Sequence, residues 1–584
     1  MRQIFSPRFL IPICLAAACC ALTSNAALAQ TAISAERVNS VLNLDRQLFE
    51  LESAQTPDKY PLNVFIGSER NELRLRKVRV RIDELHSREY EYAQSEWQAI
   101  ANGAVHPAWS GRVAAGNHRL RVEVYARALD ADPNDPRAVE WIDQTITIGD
   151  EESLEITLVQ KRFGGAEINV KSWPGSVRAA NHPWLRAAQY WLWSDRPYLA
   201  ARILSRQRSA GKALPAEYSA LAQQSVQQFV GAQSLADSSA LLERARMLES
   251  ATAQLQTGNA AALLALADQE AKSEPLWVVR DNANLLLGYH FLRGGQVKQA
   301  REALGKVRSP GPHAHEAMLG YGWTFLLDEL APDAWASSAD TSHPNFVLAA
   351  AQASASDSGQ LDDEDREDAL RSALVPWTEL IGADVLDIAA QEGALAVAWA
   401  LDELDTGEQA HTYYERSAAQ LAGARGLLSQ AMEHVASGHA AKAFADGLND
   451  ESSGWKAWLS DLPYASDTRY LKALLKSPNF VDQLDDFRAA QLLADELAAC
   501  EKRALDLPQG TTADTLVRQV AQARKGHEPQ LFSTRTLMER TALDLLRDTK
   551  ARIERYLAYA HFAMARHYDS EPEPEFEIIK GDAS

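Results

Sequence analysis

The chain has 584 residues, 46% of them hydrophobic and 24% charged, and a formal net charge of −20. So acidic a balance argues against nucleic acid and against a generally anionic membrane surface as partners. A chain of this length can bury enough apolar surface to fold without covalent staples, in several domain-sized units.

The first thirty residues read as an export signal. Arg2 and Arg8 make a short positive region, and an apolar run from Phe9 to Leu22 follows. That run is too short for a transmembrane helix, which needs about 20 apolar residues. Ala27-Leu28-Ala29 places small residues one and three positions before Gln30, the pattern a signal peptidase accepts. Residues 1–29 are therefore expected to be removed after Ala29, leaving a periplasmic chain of net charge −22. The alternative is an outer-membrane lipoprotein anchored through Cys19, although Ala16 stands where a lipobox carries a bulky aliphatic residue. Cys14, Cys19 and Cys20 all lie in the signal. Cys500 is then the one thiol left, which excludes an internal disulfide and predicts a buried helical cysteine.

Residues 30–59 are expected to form a lead-in helix or linker. From 60 to 172 the texture is that of strands. Val78, Val80 and Ile82 alternate with Lys77, Arg79, Arg81 and Asp83, and Leu120, Val122 and Val124 alternate with Arg119, Arg121 and Glu123. Leu154, Ile156 and Leu158 repeat the pattern. Period-two alternation with charges between predicts one buried and one wet face, hence a small antiparallel β-sandwich. The strand ending Val80-Arg81-Ile82-Asp83, followed by Gly116-Asn117-His118-Arg119-Leu120-Arg121-Val122, resembles the PEGA-type surface-associated β-domain of bacterial envelope proteins. The Pro-Glu-Gly-Ala element itself is absent.

From about residue 180 to 450 a helical period takes over. Ala188, Trp191, Asp195, Ala200 and Leu204 share their offsets with Gly288, Phe291, Gly295, Ala300 and Leu304, and again with Ala398, Leu401, Asp405, Ala410 and Tyr414. Small residues at these places let two helices approach while bulky ones fill the groove between them. The segment resembles the tetratricopeptide-repeat family, which implies an α-solenoid that holds protein partners. The best units begin at Ala188, Gly288 and Ala398, much wider than the family's spacing of about 34 residues. Weaker units, such as that around Leu319, Gly320 and Trp323, are expected between them, and the array is irregular. An Asp- and Ser-rich stretch from Ser354 to Asp368 interrupts it.

Residues 451–568 are expected to form a C-terminal helical hairpin or bundle capping the solenoid. Leu471, Leu474, Leu475, Leu492, Leu493 and Leu497 mark one long helix, and Leu543 to Met564 another. Leu507-Pro508-Gln509-Gly510 breaks the chain between them, and Asp514 to Arg524 is helical again. The tail, 569–584, is expected to be disordered. The fold class is thus α+β and multidomain, mainly α: a β-sandwich, a tetratricopeptide-like solenoid and a C-terminal hairpin.

Motifs for chemistry are absent. His434 and His439, five apart, point about 140° away from each other on a helix, and His561 and His567 also diverge. His313 and His315 flank Ala314 without a zinc-protease glutamate. Asp130, Asp132 and Asn134 copy the start of a calcium loop, but Asp135 and Trp141 replace its glycine and last glutamate. Asp132 to Ala138 also imitates a linker between tetratricopeptide units, and its strand-like neighbours assign it to a hairpin loop. No nucleophile elbow, phosphate loop or dinucleotide fingerprint occurs. Trp184, Tyr190 and Trp193 are the candidate interface, packing a seam or stacking on a ligand. The expected function is a non-catalytic periplasmic scaffold for protein partners in the envelope, without metal or cofactor. The alternative is a cell-wall or glycan-binding module.

Overall fold

The computed structural model describes residues 33–570, apart from 57, 70–72, 84–85, 129–137, 161–165, 175–181, 195, 208–214, 231–246, 249, 256–257, 271–273, 327–346, 348–362, 447–468, 476 and 509. The export signal, the calcium-like loop from Asp130 to Asp135, most of the Ser354–Asp368 stretch and the tail after Ser570 lie outside the described residues. The chain is mainly helical, and among the described residues the strands lie in an N-terminal region. No described helix is long and apolar enough to cross a membrane. Two compact units result. The first holds residues to 234 with 437–465 and 477–542; the second holds 235–436, 466–476 and the chain from 543.

In the first unit the strands are β1 (Lys59–Ser68), β2 (Leu73–Ile82), β3 (His86–Glu91), β4 (His106–Ala114), β5 (Gly116–Ala128), β6 (Ala138–Ile148), β7 (Glu152–Gln160) and β8 (Ala166–Pro174). They form two four-stranded sheets, ordered β4-β1-β7-β8 and β3-β2-β5-β6. The second sheet is antiparallel throughout. Its inner face carries Val78, Val80 and Ile82 beside Leu120, Val122 and Val124, all buried. The first sheet is mixed, because β1 pairs antiparallel with β4 but parallel with β7. The alternation rule pointed to antiparallel pairing alone and passed over β1. Leu62, Val64, Phe65 and Ile66 are all fully buried, so β1 has no wet face to mark it. A strand covered on both sides reads as a continuous apolar run, which is the habit of parallel pairing. The buried faces of both sheets belong to one core with the helices that follow.

The lead-in segment is a full core element. Helix α1 (Ala35–Gln55) starts at Ser34, whose hydroxyl accepts from the Arg37 N–H at 3.3 Å. It buries Val38, Val41, Leu42 and Leu48. These pack with Tyr198 and Ala201, and with the hairpin of Leu493, Leu497 and Cys500 against Leu516 and Val520. Burial pushes the Cys500 thiol up to about 12.

The C-terminal helices are divided differently from the sequence pattern. The stretch from Leu471 to Leu497 is two helices, Arg469–Leu474 and Pro478–Leu505. Ser477 caps the second through its hydroxyl, with Pro478 in the first turn where its missing N–H costs nothing. The segments expected as separate helices around 514–524 and 543–564 are one, Thr511–Ser570, continuing through Pro529. Gly526 and Pro529 look like breakers, yet packing holds the turn: the His527 ring bonds the Ala490 carbonyl at 2.7 Å.

One carboxylate joins distant parts of this unit. Asp45 is fully buried and accepts from Arg206 Nε and Nη2, each at 2.7 Å, and from Arg503 Nη1 at 2.6 Å. Arg503 also grips Glu52 through two bonds of 2.8 Å. Burial alone would raise the Asp45 pKa, but the two guanidinium groups outweigh it and hold the carboxyl below its usual 3.8. Its stabilising effect is therefore complete above the unfolded carboxylate range and is lost as pH falls through the folded value. Asp45→Asn should lose about 3 kcal/mol of stability at neutral pH. In denaturant titrations the deficit relative to the wild type should shrink below about pH 4.

Candidate functional site

In the first unit a set of polar and aromatic side chains lies where the strands meet the first helical hairpin. Pro183 opens helix α3 (Pro183–Trp193), whose N-cap is His182; α4 (Pro197–Arg206) follows after a short turn. Helix α3 buries nearly its whole surface, so its aromatic residues face partners on several sides. Trp184 meets Phe65 of β1 edge-on, with ring centres 4.9 Å apart. Arg186 pairs with the buried Glu155 of β7 at 2.6 Å, and the same carboxylate accepts from the Trp173 indole at 2.8 Å.

Beside this lies a cluster of Tyr90, Tyr92, His106, Tyr190 and Trp191. The Tyr92 hydroxyl is 2.9 Å from His106 Nδ1. The His106 ring lies 4.2 Å from Tyr90 and 5.0 Å from Tyr190, centre to centre. Glu96, also buried, accepts from the Tyr90 hydroxyl at 2.5 Å and from the Ala93 N–H at 2.8 Å. Arg196, in the turn after α3, stands 3.4 Å from the same carboxylate and lies over Trp191. Burial, reinforced by Arg196, lowers the His106 pKa to about 3. Burial also raises Tyr90, Tyr92 and Tyr190 well above the ordinary phenol range. Enclosed by rings, the histidine and the phenols pin β3 and β4 to the first hairpin.

Of the candidate interface residues, Trp184 and Tyr190 are interior and offer no ring face to an outside partner, whereas Trp193 is 47% exposed. Sequence reasoning passed over Tyr90, Tyr92, Glu96 and His106. The only signal available was Tyr90-x-Tyr92 at the end of β3, a spacing that puts both side chains on one side of an extended chain.

The repeated offsets fall on three helical hairpins: α3–α4, α7–α8 (Glu274–Arg293 and Val297–Gly305) and α11–α12 (Ile388–Glu403 and Gly407–Ala436). The helices beside them are α2 (Gln94–Ala101), α5 (Ala216–Phe229), α6 (Ala261–Ala267), α9 (Ala314–Trp323) and α10 (Asp363–Thr378). Each hairpin turns with the same bond. The N–H groups of Arg196, Gln296 and Thr406 donate to the carbonyls of Trp191, Phe291 and Leu401 at 2.8, 2.8 and 3.1 Å. Such a six-to-one closure needs a left-handed residue just before the donor. Gly295 and Asp405 supply it, with φ of +66° and +56°. Ala188, Ala200, Ala300, Ala398 and Ala410 are fully buried where paired helices meet. Phe291 and Leu401 are only partly buried. Gly288 is a close approach, since a Cβ there would collide with the Leu304 side chain, and one at Gly320 would lie 3.1 Å from Leu304 Cδ1.

Within the second unit Trp323 packs against Trp377 and Trp399, with ring centres 4.6 and 5.7 Å away. Nearby, the buried Glu392 accepts from the Tyr556 hydroxyl at 3.1 Å and from the Val347 N–H at 3.2 Å. A shallow depression beside it is lined by Leu380, Val385, Gln391 and Ser417 and gathers no charged group. His315 pairs with Asp387 at 3.1 Å. Among the described residues no group of three His, Cys, Asp or Glu could hold a metal ion.

No family model, curated protein or solved structure matches the chain.

Two outcomes follow from this geometry. The unfolded chain takes up a proton at His106 near 6.5, which the folded chain refuses. This group alone should therefore cost the fold about 1.4 kcal/mol per pH unit below about pH 6. His106→Gln should flatten that acid limb in denaturant titrations. Gly288→Ala should lower the melting temperature, because overpacking against Leu304 costs about 1–3 kcal/mol and exceeds the gain in helix propensity of about 1 kcal/mol.

Proposed function

We propose that this chain is a non-catalytic adaptor of the bacterial envelope. Residues 1–29 export it, cleavage after Ala29 releases it into the periplasm, and its helical hairpins hold a protein partner. In this reading the two sheets form a β-sandwich that contacts a second envelope component, and the hairpins belong to an irregular tetratricopeptide-like solenoid. The observation that supports it best is the recurrence of one turn geometry and one small–bulky spacing in three hairpins. Stacked hairpins of this kind expose long surfaces suited to peptides and helices. The adaptor reading also draws on the His106–Tyr92 and Asp45–arginine clusters, whose polar groups are occupied with one another inside the protein.

The test is photocrosslinking in the intact envelope. Crosslinkers at Gln299 and Gln409, both exposed on the second helices of their hairpins, should each capture the same protein. Recovery of cell-wall fragments and no protein from both positions would sink the adaptor reading. Mass spectrometry of the purified chain should give a mature N-terminus at Gln30; a lipid on Cys19 would instead make it a lipoprotein.

A further inference from the structure

The outer face of the β3-β2-β5-β6 sheet carries an unbalanced row of charge. Its cations are Arg74, Lys77, Arg79 and Arg81 on β2 and Arg119, Arg121 and Arg127 on β5. Rows 77 and 79 answer a cation with a carboxylate, and where Arg74 faces Arg127 the Arg74 guanidinium lies 5.8 Å from the Trp97 ring centre. Arg79 lies between Glu89 and Glu123, bonded to them at 2.6 and 3.0 Å. Lys77 pairs with Glu89 and Glu91. Row 81 differs. Arg81 has Ser87 opposite it on one side and Arg121 on the other. Asp143 ends that row, but Arg119 takes both of its oxygens at 2.7 Å. Among the described residues no carboxylate pairs with Arg81, which is exposed, while Arg121 meets Glu123 at 3.1 Å, a carboxylate it shares with Arg79.

Like charges directly opposite each other across two strands destabilise a sheet. Two guanidinium groups in register are tolerated when an anion sits between them, and the planar fork suits a carboxylate or phosphate. Next to this pair, Trp141 on β6 is 60% exposed, with the Arg121 guanidinium 5.7 Å from its ring centre. Two strand spacings separate β2 from β6, about 10 Å, which is the reach of a disaccharide.

We propose that this sheet face docks an acidic polysaccharide, with a sugar carboxylate between Arg81 and Arg121 and a sugar ring on the Trp141 indole. An acidic peptide would use the arginine pair but has no need of a flat exposed indole, so the indole selects a ring-bearing anion. The adaptor reading does not enter this inference, and the hairpin crosslinks are unaffected by its outcome.

Titration of the full mature chain with polygalacturonate, followed by calorimetry, tests it. Binding is expected, with none to neutral dextran. Arg81→Ala and Trp141→Ala should each weaken binding by about tenfold, the loss of one good contact, and Arg518→Ala, on an exposed helix turn, should not. Ser87→Glu supplies the missing carboxylate opposite Arg81; it should abolish binding while raising the melting temperature, which separates loss of the site from loss of the fold. Equal binding of polyglutamate with no effect of Trp141→Ala would overturn the proposal in favour of an acidic peptide. Binding to phosphatidylglycerol vesicles alone would overturn it in favour of a membrane. No binding to any of these probes, or Ser87→Glu binding as the wild type does, would also overturn it.

Discussion

The first unit depends on a single buried carboxylate. Asp45 is contributed by the first helix, Arg206 by the second helix of the first hairpin and Arg503 by a helix near the C-terminus, and their bonds are all 2.7 Å or shorter. A buried charge without partners is strongly destabilising, so burial of Asp45 favours the arrangement in which the three segments meet. Hydrophobic contact sets no such condition, because Leu42 or Leu497 could be buried against many surfaces. Asp45 can be buried only where both guanidinium groups reach it. This makes the carboxylate a device of registry more than of stability, although removing it alone would cost several contacts. Glu52 reinforces the choice by taking the remaining donors of Arg503.

A second constraint operates at the hairpins and is steric. Leu304 occupies the space left by Gly288 and Gly320, so one leucine needs two absent side chains. Trp377 has a similar relation to Gly322, where a Cβ would collide with the indole, and its Nε1 donates to the Leu319 carbonyl at 3.1 Å. Close backbone approach thus brings both packing and a hydrogen bond. The first hairpin uses alanines where the second uses glycine, and covers its outer side with the His106 cluster. The cluster ties that hairpin to β3 and β4 through rings rather than aliphatic chains. Aromatic rings with polar edges suit a junction between strands and helices because they fill space and still satisfy buried hydrogen-bonding groups.

What could be read beforehand divides along the same line. Ala188, Gly288 and Ala398 stood out because local spacing reports helix pairing directly. The strands of the second sheet stood out because one of their faces is wet. β1 did not, having no wet face, and the parallel pairing with β7 followed it into silence. The continuity of the Thr511–Ser570 helix was hidden by Gly526 and Pro529, whose propensity for breaks is overruled by tertiary contacts such as His527 with Ala490. The Asp45 and His106 clusters were illegible for another reason. Each joins residues far apart in sequence, and a lone Asp in a helix or His at a strand start has no pattern to announce its partner.

The charge of the chain bears on how the exposed sheet face works. A protein at −20 repels polyanions at long range. At physiological salt that field fades within about 8 Å, so a row of guanidinium groups still acts on an anion in contact with it. Attraction confined to contact distance rewards a partner that also offers shape, because charge alone gains little beyond the screening length. The Trp141 indole provides that shape beside Arg121. Overall acidity and a local arginine pair are therefore not in conflict: the first suppresses indiscriminate anion binding, and the second admits an anion that can also lie flat against a ring.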